Sequence, residues 1–233
     1  MNAKKAIRIL AIAVLPMPLK RMFANAVLGW SISASAKIGV SIVDVDYLEM
    51  ADRTRIGHFS VLRDLRKASL AAGAHLGQWN WISASTVLTE SSPLPLAGTI
   101  AMGTEAAITS RHYIDCSGGF ELGSFSTIAG VRSTILTHQI DFTSNVQTTS
   151  AVRIGNHCFV GSDVKFVPGT LVGDRSLVAM GSVVSKPLPA QGVLYAGVPA
   201  RPVREISGAF FQRQIGITAP APNRETIEPS GDR

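Results

Sequence analysis

Five histidines, His58, His75, His112, His138 and His157, are the side chains of this 233-residue chain best suited to moving protons near neutral pH. An imidazole with its ordinary pKa of about 6.5 can take a proton from a weak nucleophile and return it to a leaving group. Two of the five have neighbours that could share such work. His112 stands in "SRHYID", after Arg111 and ahead of Asp115, and His138 stands in "ILTHQIDF", shortly before Asp141. Arg111, His112 and Asp115 could contact a polar substrate; Asp141 could bind one or orient an imidazole. The plain alternative for each is a structural histidine at a loop or a surface corner, and His58, His75 and His157 read as solvated corners. His58 and His75 are the nearest two in sequence, and even they are too widely spaced for the close pair that a histidine-held zinc site uses, so no metal is expected.

The two cysteines, Cys116 and Cys158, form neither a metal-ligand spacing nor a disulfide framework, and neither has the cationic setting of a nucleophile. They read as buried thiols of a reducing, cytoplasmic compartment. With 46% hydrophobic and 16% charged residues the chain can bury a core, and its net charge of +6 suits an anionic partner. The basic residues are scattered and aromatic residues make up only 6%, which argues against nucleic acid. At the N-terminus Lys4, Lys5 and Arg8 precede the apolar run 9–15, which is too short to span a bilayer and is broken by Pro16 and Pro18. Residues 1–34 therefore read as a short helical element. It either packs on the domain edge or lies peripherally on the inner membrane surface with its cations toward lipid phosphates.

These residues must be positioned by what surrounds them, and the surrounding pattern counts in sixes. Ile154, Val160, Phe166, Val172, Val178 and Val184 recur at every sixth position, a period that fits neither a helix nor a single strand. Three short strands per coil, each pointing one apolar side chain inward, would account for it, with Ile154 and Val172 one full turn apart in the same stack. Gly155, Gly161 and Gly173 follow inward positions, as do Gly39, Gly57, Gly77 and Gly123 upstream, where a sharp corner needs a small residue or positive φ. Upstream the beat is looser: Ile38, Ile56 and Leu62, then Leu76, Ile82 and Leu88 after a small slip, then Leu122, Ile128 and Leu136. Two stretches break it, 89–103 and 139–153, and both are expected as loops thrown from one edge. Residues 207–233 lack periodicity and are expected to form a tail, partly disordered, with Phe210 and Phe211 packing near the coil.

The repeat, with "GSVVSK" (181–186), "GVPARPVREI" (197–206) and "ILTHQIDF" (135–142), resembles the hexapeptide-repeat acyltransferases over roughly residues 35–206. The stretches "IGHFSVLRDLRKASLAAGAHLGQWNWISA" and "ITSRHYIDCSGGFELGSFSTIAG" are similar to acetyltransferases of colanic-acid or exopolysaccharide biosynthesis. The resemblance implies an all-β fold, the left-handed parallel β-helix, with a short N-terminal helical element, loop excursions and a C-terminal tail. It implies acetyl-CoA as co-substrate, a hydroxyl of a sugar or polysaccharide precursor as acceptor, and a homotrimer with active sites between chains.

On that resemblance His138 takes the place of the general base. Gly161, Ser162, Ala179, Ser185 and Lys186 line the coenzyme A groove, and Arg201 and Arg204 reach its phosphates. The bland alternatives stay open: Gly161 and Ala179 as tight-turn residues, the cations as surface charge. The rival to an enzyme is a non-catalytic β-helix that scaffolds or assembles partners.

Overall fold

The computed structural model describes residues 9–10 and 12–214, and consists mostly of short parallel strands. The strands fall into three stacks. Stack I holds Lys37–Ile38, Arg55–Ile56, His75–Leu76, Ala107–Ile108, Thr127–Ile128, Phe159–Val160, Leu177–Val178 and Val193–Ala196, each parallel to the next. Stack II begins with 42–43 and 61–63 and continues through Trp81–Ser83, Tyr113–Asp115, Thr134–Ile135, Lys165–Phe166 and Val183–Val184. Stack III runs from Ser31–Ile32 through 47–50, 67–70, Thr99–Met102, Phe120–Leu122, Val152–Ile154 and Leu171–Val172. The chain visits I, II and III in turn and then adds one layer. Ile42–Met50 and Val61–Leu70 pass through the II–III corner unbroken, which joins those two stacks into one sheet.

Each strand sends an apolar side chain inward. Ile38, Ile56, Leu76, Ile108, Ile128, Val160 and Val178 form one buried column, and Leu62, Ile82, Ile114, Ile135, Phe166 and Val184 another. Burying such a column contributes roughly 1.5–3 kcal/mol for each large side chain, which is what makes the layers stack. Strands of stack I start at 37, 55, 75, 107, 127, 159 and 177. The steps from 37 to 55 and from 159 to 177 are bare three-strand layers, and those from 55 to 75 and from 107 to 127 absorb small slips. The two long steps, from 75 to 107 and from 127 to 159, carry excursions.

Two readings of the beat shift. Leu136 is 38% exposed while Ile135 is fully buried, because Ile135 is the residue in register with Phe166 and Ile114. Leu88 belongs not to a strand but to a short helix at Thr86–Ser91, whose N-cap is Ser85. The glycines after inward positions also act by close approach rather than by positive φ. A Cβ on Gly57 would lie 2.6 Å from the carbonyl carbon of Gly77 in the next layer, and one on Gly123 2.5 Å from that of Gly155. Left-handed backbone at the corners falls instead to residues such as Phe59, Trp79, Arg111, His157 and Asp163.

Both long steps place their extra chain at the same corner, between stacks II and III. The first excursion, 84–98, contains the helix Thr86–Ser91. The second, 136–151, contains the antiparallel hairpin of His138–Asp141 and Val146–Thr149, whose tip exposes Phe142. The two excursions touch: Ser92 Oγ and Thr149 Oγ1 lie 2.8 Å apart.

The N-terminal element closes the first layer. The helix Met17–Val27, here α1, follows the N-cap Pro16 and carries Pro18 in its first turn, where a missing N–H costs nothing. Its Lys20 is buried and donates from Nζ to the carbonyls of Ile38 and Gly39 at 3.1 and 3.2 Å, satisfying the open edge of stack I. No helix among the described residues is long and apolar enough to cross a membrane. Lys4, Lys5 and Arg8, on which the membrane reading rests, lie outside the described residues. So does the end of the tail. Its start forms a short turn, Ala209–Gln212, that sets Phe210 edge-on against Phe159 at 5.6 Å.

Candidate active site

The second excursion opens on His138, just past the II–III corner. One layer below, Asp115 ends the strand Tyr113–Asp115, and the pairing of Ile114 with Ile135 brings these two segments level. His138 Nδ1 lies 2.9 Å from Asp115 Oδ2. The same oxygen accepts from the Thr137 N–H at 2.9 Å and from Thr137 Oγ1 at 2.6 Å, while Oδ1 accepts from Ser117 Oγ at 2.6 Å and the Ser117 N–H at 3.2 Å. Thr137 Oγ1 in turn accepts from the Gly118 N–H, so the whole cradle is closed.

Burial acts to raise the pKa of Asp115, but the hydrogen bonds from Ser117, Thr137 and His138 together outweigh it and hold the carboxyl below its ordinary range. An ionised Asp115 can only accept, so Nδ1 of His138 carries a proton, and in the neutral imidazole the lone pair is then on Nε2. The carboxylate is 6% exposed and the imidazole 38%. The arrangement is a buried anion fixing the tautomer and ring plane of a solvent-facing base.

The surface beside it is aromatic. Tyr113 lies two positions before Asp115 on the same strand and shares its outward face. Tyr113 pairs with Trp81, and both rings are exposed. Trp81 Nε1 donates to Ser83 Oγ at 3.2 Å, which lays the indole toward the layer position opposite Asp115.

Of the residues singled out in sequence, Asp115 and His138 meet, and three others stand apart. Asp141 does not orient the imidazole: its carboxylate accepts from the Thr143 N–H and Ser144 Oγ inside the hairpin turn. His112 is neither a surface corner nor a substrate contact. It is 2% exposed, its Nδ1 accepts from the Ser133 N–H, and its Nε2 meets Thr109 Oγ1 at 3.0 Å. Burial drives its pKa down to about 4. Arg111 sits at an exposed stack I–II corner with φ of 62°. Asp115 is itself too enclosed to serve as an open acceptor contact; its partners are the cradle and His138.

The expected coenzyme A residues fall on separate corners. Gly161, Ser162 and Ala179 lie together between stacks I and II, where a Cβ on Gly161 would meet the Met180 N–H nitrogen at 2.8 Å. Ser185 and Lys186 follow the strand Val183–Val184 at the II–III corner, the corner that carries His138 two layers earlier. Arg201 and Arg204 are exposed on the strand Arg201–Glu205, antiparallel to Val193–Ala196. Cys116 and Cys158 are both buried, and burial raises their thiol pKa values, that of Cys158 to about 11. Neither is a nucleophile at neutral pH.

Sequence reasoning passed over Ser117 and Thr137, the residues that hold Asp115. Their signal was their place beside a carboxylate at a layer corner, visible only once the pairing of Ile114 with Ile135 is known.

Comparison with known proteins gives this geometry a setting. The family model described as hexapeptide repeat of succinyl-transferase matches residues 151–186. The galactoside O-acetyltransferase of Escherichia coli (strain K12) is 45% identical over 56 residues, which is 24% of this chain and 27% of that protein. WcaF of the same strain, an acetyltransferase named for colanic acid biosynthesis, is 28% identical over 65% of this chain and 69% of its own. The chain spans only 27% to 37% of the length of the first curated relatives it matches. Among solved structures, the polysialic acid O-acetyltransferase OatWY superposes with a TM-score of 0.52 at 14% identity, over 85% of this chain and 90% of that one. That likeness concerns the fold.

Proposed function

We propose that this chain, which carries the hexapeptide repeat and is similar to sugar acetyltransferases, moves an acetyl group from acetyl-CoA to a hydroxyl of a sugar or polysaccharide precursor, with His138 as general base. The fold this reading implies is the left-handed parallel β-helix over 35–206, with 1–34 as an edge element. The observation that carries it is the contact of 2.9 Å between His138 Nδ1 and the buried Asp115. A histidine capping a loop has no need of a carboxylate held in place by Ser117 and Thr137, nor of an open ring edge.

The chemistry follows from that contact. An alcohol is a poor nucleophile at neutral pH, so its proton must leave as its oxygen attacks the thioester carbonyl. Nε2 of His138 takes that proton while the C–O bond forms. The imidazolium is stabilised by Asp115 across a single hydrogen bond. When the C–S bond breaks, the proton passes from Nε2 to the departing sulfur, which leaves as the free thiol of coenzyme A. Asp115 acts as a positioning residue throughout. The exposed faces of Tyr113 and Trp81 give the C–H face of a sugar ring a place to lie beside the base.

The donor would lie where Gly161, Ser162 and Ala179 meet the neighbourhood of Ser185, Lys186, Arg201 and Arg204. Because these residues occupy different corners of one chain, a groove that uses all of them is best completed by a neighbouring copy, which supports a homotrimer. Its setting would be cytoplasmic, with the N-terminal element 1–34 either packed on the domain edge or in peripheral contact with the inner membrane.

The test is thiol release from acetyl-CoA on addition of a sugar acceptor, with the acetylated product identified by mass. Release that depends on both substrates is the expected result; release that ignores the acceptor would refute acyl transfer to sugar. Lys186→Ala and Arg201→Ala should each weaken acetyl-CoA binding several-fold in a titration. Unchanged affinity would remove them from the phosphate contacts.

A further inference from the structure

We propose that the outward face of stack I in the first layers is a diphosphate site, a cavity of about 690 Å³ lined by Lys37, Arg55, His58 and His75, and that it holds the acceptor by a diphosphate at one end of its sugar chain. The identification of the ligand as an acceptor rests on the acyl-transfer reading; the site itself does not.

Charge comes first. Lys37, Arg55 and His75 each stand one position before the inward residue of their strand, so all three side chains face outward. Lys37 pairs with Arg55 and Arg55 with His75, which sets them one above another at strand spacings of about 4.8 Å. No aspartate or glutamate lines the cavity. Among the described residues the side chains of Lys37 and Arg55 have neither an ion-pair nor a hydrogen-bond partner. Glu105, in a smaller cavity that also touches Arg55 and His75, is spent on Arg53 at 2.9 Å. Partial burial, and then Arg55 beside it, push the pKa of His75 down, as they must where a positive field has no anion to answer it.

The donors then select the ligand. The Val40 N–H donates to His58 Nδ1 at 3.2 Å, so in the neutral ring Nε2 carries the proton and is a donor. Arg55 can grip one phosphate through two N–H groups while Lys37, one strand away, meets its neighbour as a point charge. Two fixed cations without a counter-ion match two adjoining negative charges; a single carboxylate would leave one cation unanswered. Gly39, Gly57 and Gly77 line the same cavity, and their lack of side chains keeps the space beside the cations open.

Position ties the cavity to the base. Gln78 lines it, and the same layer runs on through Trp79 and Trp81 to Ser83, which pairs with Asp115. Five residues of chain span at most about 18 Å. The surface between carries aromatic rings along its length. Phe59 and Trp79 stand 4.6 Å apart at the I–II corner, and they, Trp81 and Tyr113 are all exposed. Sugar rings can lay their C–H faces on such a surface, so a chain of a few sugar residues anchored by its diphosphate reaches from the cavity round the corner to His138.

The test is calorimetric titration of the full chain with inorganic pyrophosphate, alone and with acetyl-CoA present at saturation. Binding is expected in both cases, and the surface double variant Lys37→Ala/Arg55→Ala should weaken it at least tenfold. Pyrophosphate binding abolished by acetyl-CoA would assign the cavity to the donor. That outcome, no binding at all, unchanged affinity in the folded double variant, or trigalacturonate bound as tightly as pyrophosphate would each overturn the proposal. UDP-glucose and farnesyl diphosphate separate the sources of the group: tighter binding of the first identifies a nucleotide carrier, tighter binding of the second a lipid one, and rejection of both overturns the assignment. In the transfer assay a trisaccharide diphosphate should show a KM at least tenfold below that of the free trisaccharide, and the double variant should erase the difference. Equal KM values in the wild type would overturn the link to the acceptor. Pyrophosphate binding that follows these expectations in a protein that transfers no acetyl group would instead sink the acyl-transfer reading and leave the diphosphate site standing.

Discussion

Residues 154–184 and the II–III edge are built from the same layers and serve opposite ends. In the first, every sixth side chain points inward, each layer is a bare set of three strands, and the chain spends almost nothing outside the core. At the edge, two layers swell by a whole excursion each, and the extra chain holds a helix, a hairpin and an open imidazole aimed at a buried carboxylate. The regular region supplies rigidity and register. The edge supplies side chains whose partners come from other layers. A repeat lends itself to chemistry because one interrupted corner can be elaborated while the other two continue to stack.

That contrast can be broken from either side. The largest effect should come from the regular region: Phe166→Ala empties a fully buried site and should cost about 3–5 kcal/mol in chemical denaturation. Its folded fraction should transfer acetyl groups at close to the wild-type rate, since the edge is intact. Gly57→Ala should cost about 1–3 kcal/mol through overpacking against the Gly77 backbone, read as a lower melting temperature. A neutral result would remove close approach as the reason for glycine there.

At the edge the signs reverse. Asp115→Asn should lower kcat for acetyl transfer by about 10–100-fold and leave the KM for acetyl-CoA near its wild-type value. Asp115→Glu, which can still accept from His138, should recover part of the rate. A loss seen only in melting temperature would make Asp115 merely structural.

The smallest effect concerns His112, whose folded pKa of about 4 lies below its ordinary value of 6.5. Well above that ordinary value it is neutral in both states and costs nothing. As pH falls from about 6.5 toward 4 the unfolded chain takes up a proton that the folded one refuses, so stability declines across that window. His112→Gln should flatten the decline by up to one proton's worth of slope.

The regular region was legible in the sequence because a strict period needs no knowledge of partners: the six positions from Ile154 to Val184 all prove buried. The count lost phase at Leu136 and Leu88, where it assumed that each corner keeps its length. The one-residue slip before Ile135 falls at the I–II corner, between Thr127–Ile128 and Thr134–Ile135, and the helix Thr86–Ser91 falls at the II–III corner that carries the excursions. The same cause hid half of the site. His138 could be chosen by resemblance, but its partner Asp115 comes from an earlier layer, and Asp141, close in sequence, is spent on its own turn. His112 read as a candidate because Arg111 and Asp115 flank it in sequence. Stacking instead turns it inward, against Ser133 one layer on.

The central claim is that the open edge of His138, held by Asp115, carries the proton in acyl transfer. The most direct measurement is single-turnover acetyl transfer from acetyl-CoA to a trisaccharide acceptor by wild type and His138→Ala, with melting temperature and acetyl-CoA affinity taken on the same samples. The account predicts a loss of about 10²–10⁴-fold in the transfer rate with folding and donor binding preserved. A variant that transfers within tenfold of the wild type would contradict it.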